Sequence, residues 1–336
     1  MAGVGPMKID ASPKLWFDNA ALALRLPRLL GGCVVGLAPA VALWYLGIDI
    51  RIATDFTGVP AVSLPLLMAN VVFMLLAARF IQDRTKRLGE YTASLGVDVE
   101  SDQTGMLTGM KPIAAVWVLL LLVTSLVIDP LVFNLYYSPF QALERLLVTG
   151  YLRFIQATFL WSLAFSMYLI YRWGKLPIRL KSFAEDRTLG LRPYGSASLH
   201  FVTLYVLAML LTFPVFVYKS EAVVWSQLIF SLLGLAVFLV PLFSLRKRLV
   251  DAKREKLSWI VRRHRRAIES IEACGDGPID IALVNELIAV DNIRNDLKRI
   301  SGWPFNAEVV VRLVTVVLLP LSLWVVTVYL ARVLNL

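Results

Sequence analysis

Chemistry needs nucleophiles with bases, metal ligands or paired carboxylates within reach of one another, and this chain offers few of them. Its only histidines are His200 and His264, and its only cysteines are Cys33 and Cys274. Cys33 lies in an apolar run and Cys274 in a basic region, so neither a disulfide nor a Cys/His metal cluster is expected. Gly-x-Ser-x-Gly, His-Glu-x-x-His and the phosphate-binding Gly-x-x-x-x-Gly-Lys are all missing. The stretch Phe183–Gly195 mixes acids, arginines and glycines, but its glycines are too dispersed for a dinucleotide turn. No enzyme activity, cofactor or metal is expected.

The remaining candidates are polar and charged groups on apolar segments. Asn70 stands near the middle of one such segment, and Thr158, Ser162 and Ser166 recur at i+4 on one helical face of another. Such a stripe either lines a hydrated path or hydrogen-bonds neighbouring helices. Asp129, Glu144, Arg145 and Arg153 form a charge cluster near a segment boundary. They would pair in a vestibule, Asp129 with Arg153 for example, or neutralise one another at headgroup level. Residues 246–272 carry ten Lys+Arg against four acids, with Arg262, Arg263, Arg265 and Arg266 the densest group. That density suits anionic lipid headgroups or an acidic partner, and equally an ordinary solvated basic helix. Nucleic acid is not expected, because no recognised fold or aromatic interleaving accompanies the charge. His264 falls on an apolar stripe, where a buried hydrogen-bonded ring is expected. Pro241, just before the basic segment, is a candidate hinge.

These residues must be positioned by helices in a membrane. Hydrophobic residues make up 58% of the 336 positions and charged residues 17%, too apolar for a soluble domain. Apolar runs of about 20 residues recur, long enough to cross hydrocarbon as helices. We place seven spans at 29–48, 59–79, 113–133, 151–171, 199–218, 222–245 and 308–334. Segments 1–28, 79–111, 172–198 and 246–307 hold 28 of the 34 Lys+Arg, so every second loop is basic. The positive-inside rule then puts the N-terminus in the cytoplasm and the C-terminus outside. The start superficially resembles a signal peptide, but its long charged lead favours a retained first span. Trp16, Phe17, Ala20, Ala21 and Leu24 share a face opposite Lys14, Asp18 and Arg25, which predicts a helix lying on the inner surface.

The fold expected is therefore all-α: a polytopic helical membrane protein with about seven transmembrane helices and a cytoplasmic antiparallel helical hairpin. Residues 1–28 form the lead, 29–245 a six-span domain, 246–307 the hairpin and 308–336 the last span. In the hairpin, Leu257, Val261, His264, Ile268 and Ile271 form one stripe. Leu283, Leu287, Val290, Ile293, Leu297 and Ile300 form the other, after the stop at Cys274–Pro278. The expected function is that of an integral cell-membrane protein, a gated channel or passive transporter with the hairpin as assembly or sensing element. The alternative is a scaffold or regulatory subunit holding a partner through 246–300. Expected partners are the bilayer, including anionic headgroups, and further copies or a membrane complex. Topology reporters inserted at Gly275 and fused after Leu336 should fall on opposite sides of the membrane; both on one side would overturn the arrangement.

Overall fold

The computed structural model describes residues 15–24, 63–96, 109–123, 139–176, 190–212, 221–273 and 281–298, with single positions between 31 and 38 and at 311 and 315. Among the described residues the chain is all-helical, with no strand. Seven helices have described bounds: α1 Trp16–Ala23, α2 Ser63–Ser94, α3 Met110–Val123, α4 Pro139–Trp173, α5 Arg192–Thr212, α6 Glu221–Ala273 and α7 Ile281–Lys298. These are not one-to-one with the seven expected spans. The spans at 29–48 and 308–334 lie largely outside the described residues, as does Asp129.

Local chemistry explains several helix ends. Pro139 opens α4, and Pro112 and Pro193 sit in the first turns of α3 and α5, where a missing backbone N–H breaks no helical bond. The end of α2 is turned by Gly96 at φ 82, a left-handed conformation that costs glycine little. Gly190, at φ 87, does the same just before α5.

Four of the helices form a ring. Hydroxyls of Thr85 and Ser166 meet between α2 and α4, and four to seven residues further on Gly89 lies against the Trp173 ring, so the two helices run parallel. Between α2 and α5 the pairs are Thr92 with Tyr194 and Phe80 with His200, which makes that contact antiparallel. α6 closes the ring by packing on both α4 and α5, which themselves barely touch. The core is built from Leu75, Ile81, Ile155, Phe159, Leu169, Trp173, Tyr194 and Phe201. α3 packs on α4, where the Trp117 indole donates to the Gly150 carbonyl at 2.7 Å.

α6 runs as one helix for 53 residues, through Pro241, from the ring into the hairpin. Proline removes a helical hydrogen bond, yet the position is held from both sides. The Ser244 hydroxyl donates to the Pro241 carbonyl, and Gly174 lets α4 approach so closely that a Cβ there would overlap the Ser244 oxygen. Arg248 donates to the Lys175 carbonyl just past the end of α4, a favourable cation at a helix C-terminus.

Among the described residues two stretches, Gly150–Trp173 and Arg192–Leu211, are long and apolar enough to cross a membrane. Their register against α2 differs from the one expected. Counting back from Thr85 and Ser166, Arg79 is level with Leu160, the middle of the α4 stretch and not its end. α2 therefore runs on beside α4 with exposed Asp83, Arg87 and Glu90 on its outer face. Span ends read from charge alone, at 79 and 171, miss this stagger because a loop tally carries no information about helix register.

Close helix approach at two glycines yields a test. A Cβ at Gly174 meets Ser244, and one at Gly234 meets the Tyr205 ring. Gly174→Val and Gly234→Val should each lower stability by about 1–3 kcal/mol through overpacking, read as a lower melting temperature in detergent. Unchanged melting would mean that these helices do not approach as described.

Candidate functional site

The i+4 stripe on α4 is a buried seam. Thr158, Ser162 and Ser166 are all fully buried. The Thr158 hydroxyl donates to the Phe154 carbonyl and accepts from the Trp16 indole at 3.1 Å. Ser162 donates to the Thr158 carbonyl at 2.9 Å. Thr85 Oγ1 lies 2.7 Å from the Ile81 carbonyl and 2.8 Å from Ser166 Oγ. A hydroxyl has one proton, so if Thr85 gives it to the carbonyl, Ser166 supplies the proton between the two hydroxyls. Proton counting settles the next rung too: Thr92 donates to the Leu88 carbonyl, leaving the Tyr194 phenol as donor to Thr92 at 2.7 Å. Asn70, also buried, belongs to the same side of α2 toward its start.

α1 closes this seam. Phe17 and Ala21 of its expected apolar face are buried, with Trp16 and Ala20 partly covered, while Leu24 is exposed and Asp18, expected on the polar face, is buried. The physical reason is Arg79, whose Nη1 lies 3.6 Å from Asp18 Oδ1 with both side chains mostly covered. A carboxylate that finds a guanidinium can turn inward with its helix. Trp16 then wedges against Phe154 and Phe17, with its N–H on Thr158. Asp18 and Arg79 escaped the sequence reading because 61 positions separate them and neither belongs to a motif. The one available signal was a carboxylate on an otherwise apolar helix.

The hairpin is the second candidate. α7 packs on α6, with Ile260 and Val290 buried at the contact and Leu257 packed against them. The seam on α6 is thus centred on Ile260 and Ala267, beside the stripe read from sequence. Val261, on that stripe, is exposed, and so are Ile281, Val284, Ile288 and Ile293 of α7. His264 is half-buried. Arg262, Arg263, Arg265 and Arg266 are all exposed, and Arg263 lies over the Trp259 ring at 5.4 Å. Among the described residues Ile260, Ala267 and Val290 are the buried apolar side chains of the hairpin, and the apolar side chains named above remain uncovered beside them.

The remaining candidates are dispersed. Arg153 bonds the Gln156 side chain one turn on, with Glu144 and Arg145 on the preceding turns of α4. At the opposite end of α4, the Trp173 indole N–H and the Ser198 hydroxyl are buried without a hydrogen-bond partner. No group of three or more His, Cys, Asp or Glu suited to a metal occurs among the described residues. Neither family models, curated proteins nor solved structures yield a match to this chain.

Removing one member of a buried ion pair strands the other. Asp18→Asn and Arg79→Gln should each cost about 1–3 kcal/mol, and the double variant should cost less than their sum. Thermal unfolding of the four proteins checks this, and strictly additive losses would dissolve the pair as an interaction.

Proposed function

We propose that the chain is a multi-pass membrane protein that works as a non-catalytic scaffold or regulatory subunit, with the α6–α7 hairpin as its interaction arm. The observation that carries this reading is the unbroken α6, which holds a hairpin with exposed apolar side chains away from the helical ring. Exposed large apolar patches on a folded surface mark interaction sites. The two apolar stretches support insertion in a membrane, and the alternation of basic segments supports seven spans with the hairpin cytoplasmic.

Distance argues about the partner of the arginine cluster. Arg262 is 10 residues past Ala252, which still packs on the ring core, so the cluster stands about 15 Å further along a helix rising 1.5 Å per residue. Screening at physiological salt acts over about 8 Å. A hairpin held upright therefore favours an acidic protein partner over anionic headgroups.

A second reading, gated conduction, rests on the polar seam. Its hydroxyls run along α4 and end on the Asp18–Arg79 pair at mid-stretch, where a charged group in a membrane is costly without a function or partner. In that reading α1 is the closed gate and Pro241 the hinge. The scaffold reading is preferred because the seam hydroxyls are engaged in internal hydrogen bonds.

Flux from liposomes holding the purified protein separates the two. The scaffold reading expects no ion or solute flux across voltage, tension and pH, including for Asp18→Asn, which would unlatch a gate. Flux that rises in Asp18→Asn would establish the second reading instead.

A further inference from the structure

We propose that the hairpin is a dimerisation arm, in which two copies of this chain pair their hairpins about a two-fold axis, α6 of each against α7 of the other. The proposal rests on reading the hairpin as an interaction arm, and names what that arm first binds.

The argument begins with where the uncovered side chains point. On α6 the contact seam runs through Ile260 and Ala267, and Val261 and Ile268 are rotated from it in the direction of chain advance. On α7 the seam runs through Leu287 and Val290, and Val284 and Ile288 are rotated from it in the same sense, at about 100° per residue. In an antiparallel pair, side chains displaced in the same sense emerge on the same side. One side of the hairpin is thus an apolar strip, with Val261 43%, Val284 38% and Ile288 55% exposed, and Ile281 at 76% on its edge. Arg262, Arg263 and Arg266 turn to the opposite side with Trp259.

Register then selects the occupant. Ile260 packs opposite Val290, and the helices are antiparallel, so Val261 stands within one residue, about 1.5 Å, of the level of Ile288, and Ile268 within one residue of Ile281. A two-fold axis along the hairpin lays one strip on another copy's strip and places α6 over α7 at the same height. Val261 then comes to Ile288 of the second copy, and Ile268 to Ile281, each pair within one residue of level. Such an isologous contact closes as a dimer. The axis is also the one open to two copies inserted the same way in one membrane.

Charge favours this pairing over its rival. Residues 246–272 carry ten Lys+Arg and four acids, whereas α7 carries three acids against Arg294 and Lys298 and is slightly negative. Crossing α6 with α7 brings opposite charge together, while α6 on α6 would set two strongly basic helices side by side.

The test uses the full-length chain with Cys33→Ser and Cys274→Ser. Val261→Cys and Ile288→Cys are placed in separate, differently tagged copies, co-expressed in membranes and oxidised. A mixed Val261→Cys/Ile288→Cys disulfide is expected, and Val261→Cys alone should not cross-link to itself. Ile268→Cys with Ile281→Cys provides an independent pair. Absence of both mixed cross-links, or equally strong self-linking of Val261→Cys, overturns the proposal. Ile288→Asp, at an exposed position, should reduce co-purification of the two tagged copies by about tenfold or more with helix content unchanged. Undiminished co-purification would also overturn it. A chain that is silent in flux but does not cross-link would lose the dimer and keep the scaffold reading.

Discussion

The unbroken backbone of α6 is the constraint from which the rest of the structure follows. Over 53 residues it belongs first to the helical ring and then to the hairpin, so whatever fixes its lower half fixes the height and direction of the arm. The fixing is done at the end of α4. Gly174 admits Ser244 at close range, Arg248 reaches the Lys175 carbonyl, and Leu242, Leu245 and Leu249 are fully buried between neighbours. A proline inside such a helix would ordinarily be a point of weakness. Here it is buried in the ring, and bending at Pro241 would have to separate α6 from α4.

Within the ring, polar groups act as adhesive. In the proposed membrane setting apolar side chains gain little by leaving lipid for a helix interface, so hydroxyl pairs such as Thr85 with Ser166 and Thr92 with Tyr194 contribute register as much as energy. They hold α2 parallel to α4 and antiparallel to α5. The same stagger brings Arg79 to the middle of α4, where Asp18 and the Trp16–Thr158 hydrogen bond draw α1 onto the bundle. Ring and lead helix are therefore one unit, linked by side chains distant in sequence.

Much of this was legible in the residues. Local features were read directly: the all-helical class, the i+4 polar face of Thr158, Ser162 and Ser166, and the end of α6, whose described bound is Ala273. Periodicity and breaker residues act on the chain within a few positions, which is why they could be read. What could not be read depends on partners far apart in sequence. The inward turn of Asp18 needed Arg79, the stagger of α2 needed Ser166, and the hairpin register needed Val290. A shift of one residue moved the α6 seam from Val261 to Ile260, enough to change a core side chain into an exposed one. Spans expected at 29–48 and 308–334 fall largely outside the described residues, and the count of seven remains part of the proposed function.

The central claim is that the hairpin end, with its exposed apolar side chains, is the working surface and is covered in the assembled protein. Amide hydrogen exchange along α7 in the full-length chain tests this most directly, because exchange reports local opening and a peripheral helix with uncovered apolar side chains opens readily. The account predicts that residues 281–298 are protected in the assembled protein. It also predicts that this protection falls when Ile288→Asp disrupts the apolar strip, while the amides of α4 are unaffected. Fast exchange along α7 in the intact protein, or protection indifferent to Ile288→Asp, would contradict it.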